Sequence, residues 1–271
     1  MSRIDKCFEN LRAKKDKALV CFLTAGDPDL RTTAEVVREI ICAGADIVEL
    51  GVPFSEPMAD GPSIQSATYR ALQSGTTVGG VLETVKIIRT FPEQVVRDAP
   101  VVLMTYFNQL NKYGIQRFAR DAANAGIDGV LLTDLPPEEA AEWLEVSKKV
   151  ELASIMLVAP TSTKDRIEVA ANMGSGFIYC VSRLGVTGER SDVPVELQEL
   201  VTTIKSTTDL PVVVGFGISK PEHVKTITQF ADGAVVGSAL VNIIAQSAKP
   251  GLLRCAGQFV KELKAGINRQ E

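Results

Sequence analysis

The sequence predicts an α/β protein built as one (β/α)8 TIM barrel with an extra N-terminal helix, and three observations lead to this fold class. Short apolar runs rich in β-branched residues alternate with longer segments of helical spacing along all 271 residues. There are eight such runs, which is the strand number of this barrel. No linker interrupts the alternation, so we expect residues 1–271 to form a single catalytic domain. An open, doubly wound parallel sheet is the alternative fold.

Eight segments of the chain are predicted strands because each is short, apolar and bounded by turn residues. Their nearly continuous apolar character is typical of parallel strands whose outer face is covered by helices. Closing such a sheet into a barrel is the economical arrangement of eight strand and helix units. The predicted strands are residues 18–25, 46–52, 100–106, 129–134, 153–159, 176–182, 211–217 and 233–238.

The segments between the strands are predicted helices. In residues 29–45 the apolar side chains fall three or four positions apart and so share one stripe of a helix, at Leu30, Ala34, Val37, Ile41 and Ala45. Asp27 and Pro28 are the predicted N-cap and first residue of this helix. The same spacing predicts helices over 63–75, 78–91, 109–126, 137–150, 163–173, 194–207, 220–230 and 251–266, with an additional helix near 2–13.

The composition argues against several classes of function. The net charge is -4 and the charges of both signs are interspersed, which disfavours nucleic acid or an anionic membrane surface as a partner. No apolar run is long enough for a membrane span or a signal peptide, so we expect a cytoplasmic protein, or a plastid one if a transit peptide was removed. The cysteines form no CxxC pair and are predicted to be buried thiols of a reducing compartment: Cys7, Cys21, Cys42, Cys180 and Cys255.

Glycine-bearing turns follow the last two predicted strands, where barrels commonly bind a phosphate group. They would let the backbone approach an anion and would present the free N–H groups of a helix N-terminus. A third glycine-rich stretch, residues 182–192, could close over the same place. The alternative is that these glycines only form tight turns, but their occurrence at consecutive strand ends favours a phosphate site. The residues concerned in the two turns are Gly215, Gly217, Gly237 and Ser238.

Glu49 lies among apolar neighbours within the second predicted strand. The alternation of side chains along a strand turns Glu49 into the barrel, together with Ile47 and Gly51, while the intervening residues face the helices. A buried carboxyl group has a raised pKa, which suits a group that must both donate and accept a proton near neutral pH. The alternative is a structural glutamate paired with a buried arginine or lysine.

A long loop, residues 53–65, follows this strand and carries Asp60 just before the next helix. The residues alone favour the interpretation of Asp60 as a turn residue or a helix cap. The only histidine, His223, lies at the start of a later helix and is interpreted as surface structure. No zinc-binding spacing such as HExxH occurs. Acid–base chemistry is therefore assigned to carboxylates, with a tyrosine as a further candidate.

Five segments, in this order and spacing, resemble the signatures of the tryptophan synthase α-subunit family: LTAGDPD, ELGVPFSEPMADGPSIQ, YCVSRLGVTG, VVVGFGIS and AVVGSALV. The resemblance spans nearly the whole chain. It implies a lyase that cleaves indole-3-glycerol phosphate to indole and glyceraldehyde 3-phosphate, late in tryptophan biosynthesis. It further implies that Glu49 is the general acid–base residue. Asp60 would bind the indole nitrogen and stabilise the positive charge that develops there.

The same resemblance implies the substrate-binding residues. Backbone groups of Gly188, Gly217, Gly237 and Ser238 would hold the phosphate group. Thr187 would help to close the site and orient Asp60, and Tyr179 would lie near the glycerol part. The implied indole-pocket residues are Phe22, Ile64, Tyr106 and Phe216. The chain departs from the family pattern at Glu56 and Met58, where aspartate and leucine are commoner, which leaves the implied catalytic pair intact and bears on partner specificity.

The resemblance also implies a partner, a tryptophan synthase β subunit in an α2β2 assembly, with pyridoxal phosphate bound only by that subunit and no cofactor or metal here. Three alternatives remain open from the sequence. One is another phosphate-binding barrel, such as indole-3-glycerol phosphate synthase or a sugar-phosphate isomerase, but no lysine ends a predicted strand. The others are a barrel that only binds or activates the β subunit, and a free-standing lyase with the same catalytic residues.

Overall fold

The computed structural model describes residues 1–182, 195–215, 217–247 and 249–267. Its strands pair in parallel in chain order, and the last pairs with the first, so the sheet closes into a barrel. This confirms the predicted (β/α)8 barrel and rules out the open sheet. The strands are β1 Ala18–Thr24, β2 Ile47–Gly51, β3 Val101–Thr105, β4 Gly129–Leu132, β5 Ala153–Val158, β6 Ile178–Val181, β7 Val212–Gly215 and β8 Gly233–Val236.

The helices surround this barrel, and none in the described part of the chain is long and apolar enough to cross a membrane. They are α1 Arg3–Ala13, α2 Leu30–Cys42, α3 Pro62–Gln73, α4 Val78–Ile88, α5 Gln94–Asp98, α6 Phe107–Tyr113, α7 Ile115–Ala125, α8 Ala141–Lys149, α9 Lys164–Met173, α10 Val195–Thr207, α11 Pro221–Thr228, α12 Ser238–Gln246 and α13 Lys249–Ile267, with a 3-10 turn at Pro137–Glu139.

Two predicted helices are divided in the structure. The helix predicted over 109–126 is broken at Gly114, whose φ of 93° ends α6 and begins α7. The helix predicted over 137–150 starts as the 3-10 turn and continues as α8. The short helix α5 is absent from the predicted set, because its five residues are too few to show helical periodicity.

The prediction that Asp27 caps the first barrel helix, with Pro28 as its first residue, is wrong. Asp29 is the N-cap of α2, and its carboxylate accepts hydrogen bonds from the backbone N–H and the hydroxyl of Thr32, at 2.7 and 2.9 Å. Asp27 is buried instead and accepts two hydrogen bonds from the Arg70 guanidinium, at 2.8 and 2.7 Å. The Asp27 carboxylate, which the local sequence assigned to the helix end, therefore forms an ion pair with Arg70 instead.

The extra helix α1 closes the N-terminal end of the barrel. Ser2 caps it through a capping box with Asp5. Its apolar face, formed by Ile4, Phe8 and Leu11, packs on the side chains that fill the barrel interior, and the rings of Phe8 and Phe177 are 6.0 Å apart. Helix α1 therefore covers the barrel interior at the N-terminal end of the strands. The opposite end, where the strands terminate, is the end at which barrels form functional sites.

The last helix ties the two ends of the chain together. Helix α13 packs against α2, and its Lys264 Nζ donates to the Lys17 carbonyl at 3.1 Å and to the Asp46 carboxylate at 2.8 Å. It also pairs with Asp16 at 3.2 Å. Because these three acceptors flank β1 and β2, Lys264 fixes the final helix on the opening strands.

The prediction that the cysteines are buried holds only in part. Cys21 and Cys180 lie inside the apolar core and Cys7 is half-buried, but Cys42 and Cys255 are exposed. Both exposed thiols lie on helices, α2 and α13, whose amphipathic spacing gives each a solvent-facing side. An apolar neighbourhood in sequence therefore does not bury a helical residue, since adjacent positions face different directions.

Candidate active site

Glu49 lies inside the barrel, as the alternation of β2 predicts. It sits between Phe22 of β1 and Val102 of β3, and only 1% of its surface is exposed. Neither Oε1 nor Oε2 has a hydrogen-bond partner among the described residues. The alternative of a structural ion pair with a buried arginine or lysine therefore finds no partner in the described part of the chain.

The environment of Glu49 favours its neutral form. Burial, and secondly the negative charge of Asp60, raise its pKa from 4.5 to about 8. The carboxyl group therefore keeps its proton at neutral pH and can release it to a reacting atom. Such a group is suited to both halves of a proton transfer.

Asp60 lies on the β2–α3 loop, defined here as residues 52–61. Gly61 is the N-cap of α3 and no side chain caps this helix, so Asp60 is not the helix cap. Its carboxylate accepts a hydrogen bond from the Tyr106 hydroxyl. Burial raises the pKa of Asp60 to about 6, and this hydrogen bond opposes the rise. Near neutral pH, Asp60 is therefore ionised while Glu49 is protonated.

An apolar cluster lies near Glu49, whose register partner on β1 is Phe22. It brings together two of the predicted indole-pocket residues, Phe22 and Ile64, with three that were not predicted: Ala67, Met104 and Val241. Gly51 makes room for the Phe22 ring, since a Cβ at this position would lie 2.7 Å from Phe22 Cζ. Apolar side chains of this kind are what line the binding sites of aromatic rings.

Met104 and Leu157 are candidate lining residues that the sequence reading missed. Leu157 is 36% exposed although its neighbours on β5 are buried, and it follows the inward-facing Ile155 by two residues. Met104 follows the inward-facing Val102 in the same way and packs against the apolar cluster. The signal was available, because the alternation that identified Glu49 also turns these two side chains inward.

Tyr179, predicted near the glycerol part of the substrate, packs against the interior cluster from β6. Burial and the nearby charge of Glu49 raise its pKa well above the ordinary value, so the phenol stays protonated. Gly215 gives it space, since a Cβ there would lie 3.0 Å from the Tyr179 hydroxyl. Gly215 therefore makes room for the Tyr179 side chain.

The turns after β7 and β8 have the geometry expected of an anion site. Gly217 has a φ of 50°, which favours glycine. Gly237 is the N-cap of α12 and Ser238 its first residue, with no side-chain cap and no acidic residue in the first turn. The first N–H groups of α12 are thus not capped by a side chain and carry the positive end of the helix dipole.

Some predicted residues lie elsewhere. Thr187, Gly188 and Phe216 fall outside the described residues, as does the glycine-rich stretch apart from its first residue, Ser182. His223 lies at the start of α11, and its Nδ1 accepts a hydrogen bond from the Ser219 backbone N–H at 3.4 Å. This local contact agrees with the structural interpretation of the histidine.

Comparison with protein families identifies one model that matches nearly the whole chain, described as tryptophan synthase alpha chain, over residues 8–267. Among curated relatives, the tryptophan synthase alpha chain of Geobacter sp. (strain M21) is 52% identical, and the alignment covers 98% of each chain. That of Thermoanaerobacter sp. (strain X514) is 45% identical, over 97% of this chain and 99% of the relative.

Solved structures of this kind superpose closely on the chain. Tryptophan synthase subunit alpha from Legionella pneumophila str. Paris has a TM-score of 0.91 at 37% identity and covers 99% of each chain. A chain of the aminoacrylate-bound tryptophan synthase from M. tuberculosis has a TM-score of 0.87 at 36% identity, over 98% of this chain and 100% of that one. Both the barrel and its sequence are therefore shared along the full length.

Proposed function

This chain belongs to the tryptophan synthase alpha chain family of lyases, and we propose that it cleaves indole-3-glycerol phosphate by a retro-aldol reaction in which Glu49 and Asp60 divide the acid–base chemistry. One observation carries the assignment of these residues. The two carboxyl groups are close enough for the charge of Asp60 to raise the pKa of Glu49, yet their pKa values, about 8 and about 6, differ. Near pH 7 one is an acid and the other an anion.

This division matches the order of the reaction. Protonated Glu49 delivers its proton to C3 of the indole ring, and the Asp60 carboxylate accepts the indole N–H and stabilises the positive charge that spreads to the nitrogen. Glu49, now a carboxylate, takes the proton of the adjacent glycerol hydroxyl. The carbon–carbon bond breaks, its electron pair returns to the ring, and indole and an aldehyde are released. Glu49 ends protonated, ready for another turnover.

Two features of the barrel mouth support this substrate. The apolar cluster that contains Phe22 and Ile64 would offer contacts for the indole ring near Glu49. The phosphate would be held by backbone N–H groups at Gly217, Gly237 and Ser238, where a helix N-terminus without an acidic first turn favours an anion. Thr187 and Gly188 are proposed to complete this site.

The alternative reactions have weaker support. A phosphate-binding barrel with lysine chemistry needs a lysine at a strand end, and no strand of the described chain ends in one. A barrel that only activates a partner would have no need of a fully buried carboxyl group with a pKa of about 8. A free-standing lyase would use the same residues as the α subunit and is separated from it by experiment.

We infer that the chain works with a tryptophan synthase β subunit, in an α2β2 assembly. The similar chain from M. tuberculosis comes from a tryptophan synthase structure. Met58, on the β2–α3 loop, is 88% exposed and so offers one apolar side chain to a partner. Pyridoxal phosphate would then belong to the β subunit. The cytoplasmic location and the single domain stay predictions from the sequence.

The direct test is indole release from indole-3-glycerol phosphate by the purified chain, alone and with an added tryptophan synthase β subunit. We expect slow release alone, faster release with the β subunit, and a loss of at least about 100-fold in Glu49→Gln, as general acid–base catalysis implies. Fast release that ignores the β subunit would favour the free-standing lyase. No release from the wild-type chain under either condition would contradict the proposed reaction.

A further inference from the structure

The β2–α3 loop, which carries Asp60, is held at both ends by side chains from one turn of helix. The side chain of Gln109 on α6 donates from Nε2 to the Pro53 carbonyl at 2.8 Å, near the start of the loop. Near its end, the Tyr106 hydroxyl accepts the Ala59 backbone N–H at 3.0 Å. Tyr106 is the N-cap of α6 and Gln109 its third residue, so the two anchors move as one unit.

The amide of Gln109 can take only one orientation in this arrangement. The Pro53 carbonyl is an acceptor, so it requires the NH2 end of the amide. The other end, Oε1, accepts the hydroxyl of Thr105 at 2.8 Å, and Thr105 is only 1% exposed. Because both ends of the amide are bonded, the side chain is fixed between β3 and the loop.

Tyr106 connects this scaffold to the carboxylate itself. Its hydroxyl accepts from Ala59 and donates to Asp60, so a single oxygen sets both the loop backbone and the acidic side chain. Its ring packs on Phe54 of the same loop, with ring centres 4.9 Å apart. From the other side, Gln65 Nε2 donates to the Asp60 carbonyl at 2.8 Å.

We propose that Gln109 is a positioning residue for Asp60: by holding the Pro53 carbonyl it fixes the start of the β2–α3 loop, while Tyr106 fixes its end, so that the Asp60 carboxylate stays within range of Glu49. Thr105 supports Gln109 by orienting its amide. This inference rests on the proposed function, because the effect of Gln109 on turnover passes through Asp60.

The first test compares Gln109→Leu with a matched control, Gln258→Leu. Gln258 lies on α13 and donates to Glu262 at 2.7 Å, so the control loses a glutamine side-chain hydrogen bond far from the loop. We expect kcat to fall about tenfold in Gln109→Leu with KM nearly unchanged, since the loss of the hydrogen bond to Pro53 and a small misplacement of the loop have effects of this order. Thr105→Val should show a smaller loss in the same direction, and Gln258→Leu none.

The pH profile of kcat/KM distinguishes positioning from general damage. Asp60 is influenced by burial and by the hydrogen bond from Tyr106, while the nearby Glu49 is still neutral at the pH where Asp60 ionises. When the loop shifts, Asp60 loses part of the hydrogen bond that lowers its pKa, so the acid limb of the profile should move to higher pH in Gln109→Leu. A protein that was only less stable would keep the wild-type limb.

The second test is a double-mutant cycle in the Asp60→Ala background, where no carboxylate remains to be positioned. Gln109→Leu should then change the residual rate by less than about twofold. The hydrogen-exchange rate of the Ala59 amide should rise in Gln109→Leu and not in Gln258→Leu. This measurement does not depend on the catalytic rates. Wild-type kcat, pH profile and exchange in Gln109→Leu would overturn the proposal, as would a tenfold loss that persists without Asp60. Full activity of Asp60→Ala would instead contradict the proposed function.

Discussion

Replacing Glu49 with glutamine should raise the stability of the protein while it abolishes catalysis. The carboxyl group is 1% exposed, and its pKa rises from the ordinary 4.5 to about 8 on folding. Between these two pH values the folded protein keeps a proton that the unfolded chain has released. Raising the pH through this window therefore destabilises the folded state, by about 1.4 kcal/mol for each unit.

Glutamine has no proton to lose, so Glu49→Gln removes this dependence. We expect the variant to gain stability relative to the wild type by about 3 kcal/mol between pH 5 and pH 7, two pH units inside the window. Because the two side chains are nearly isosteric, packing contributes little to the difference. The gain in the free energy of unfolding would measure the stability that the protein loses by keeping a carboxyl group in its core.

Urea denaturation at pH 5 and pH 7, followed by the fluorescence of the one tryptophan, buried Trp143, measures this difference. Glu145→Gln is the control, since Glu145 is an exposed residue of α8 paired with Lys149, and its stability gap should change little with pH. A gap between wild type and Glu49→Gln that is the same at both pH values would refute the raised pKa. Wild-type indole release by the variant would refute the catalytic assignment.

Three further predictions follow from the geometry of the site. The kcat/KM of the wild type should rise through about pH 6 as Asp60 ionises and fall above about pH 8 as Glu49 loses its proton. The variant Asp60→Asn should lack the acid limb of this profile. A wild-type profile with neither limb would contradict both assignments. Gly51→Ala should cost about 1–3 kcal/mol in urea denaturation, because its Cβ would lie 2.7 Å from Phe22 Cζ; unchanged stability would mean that the ring can move aside. Ser238→Asp should raise KM at least about tenfold and weaken inhibition by inorganic phosphate, because it adds a negative charge where α12 begins. The kcat and the melting temperature should change little. An unchanged KM would exclude this helix from phosphate binding.

The parts of the site that follow from periodicity could be predicted from the sequence. Eight apolar runs indicate the barrel, and alternation along the second of them predicts that Glu49 faces inward. The same alternation along β3 and β5 places Met104 and Leu157 on the inward-facing side. Periodicity works here because each strand must bury one set of side chains inside the barrel.

Contacts between distant residues could not be predicted in this way. Asp27 was predicted to cap a helix, but its carboxylate binds Arg70, 43 residues away along the chain. Asp29 caps the helix instead. Tyr106 was predicted only as an apolar lining residue, whereas its hydroxyl bonds both Ala59 and Asp60. In each case the pairing depends on how the loops meet at the mouth of the barrel, which local propensity does not encode.

The attachment of Lys264 to Asp16, Asp46 and the Lys17 carbonyl bears on how the protein is made. The first strand pairs with the eighth, and the carboxylates that flank the first two strands pair with a lysine of a much later helix. During synthesis, β1 therefore has one open edge until β8, Gly233–Val236, has left the ribosome. The barrel can close only after that point, and the earlier strands must avoid aggregation until then.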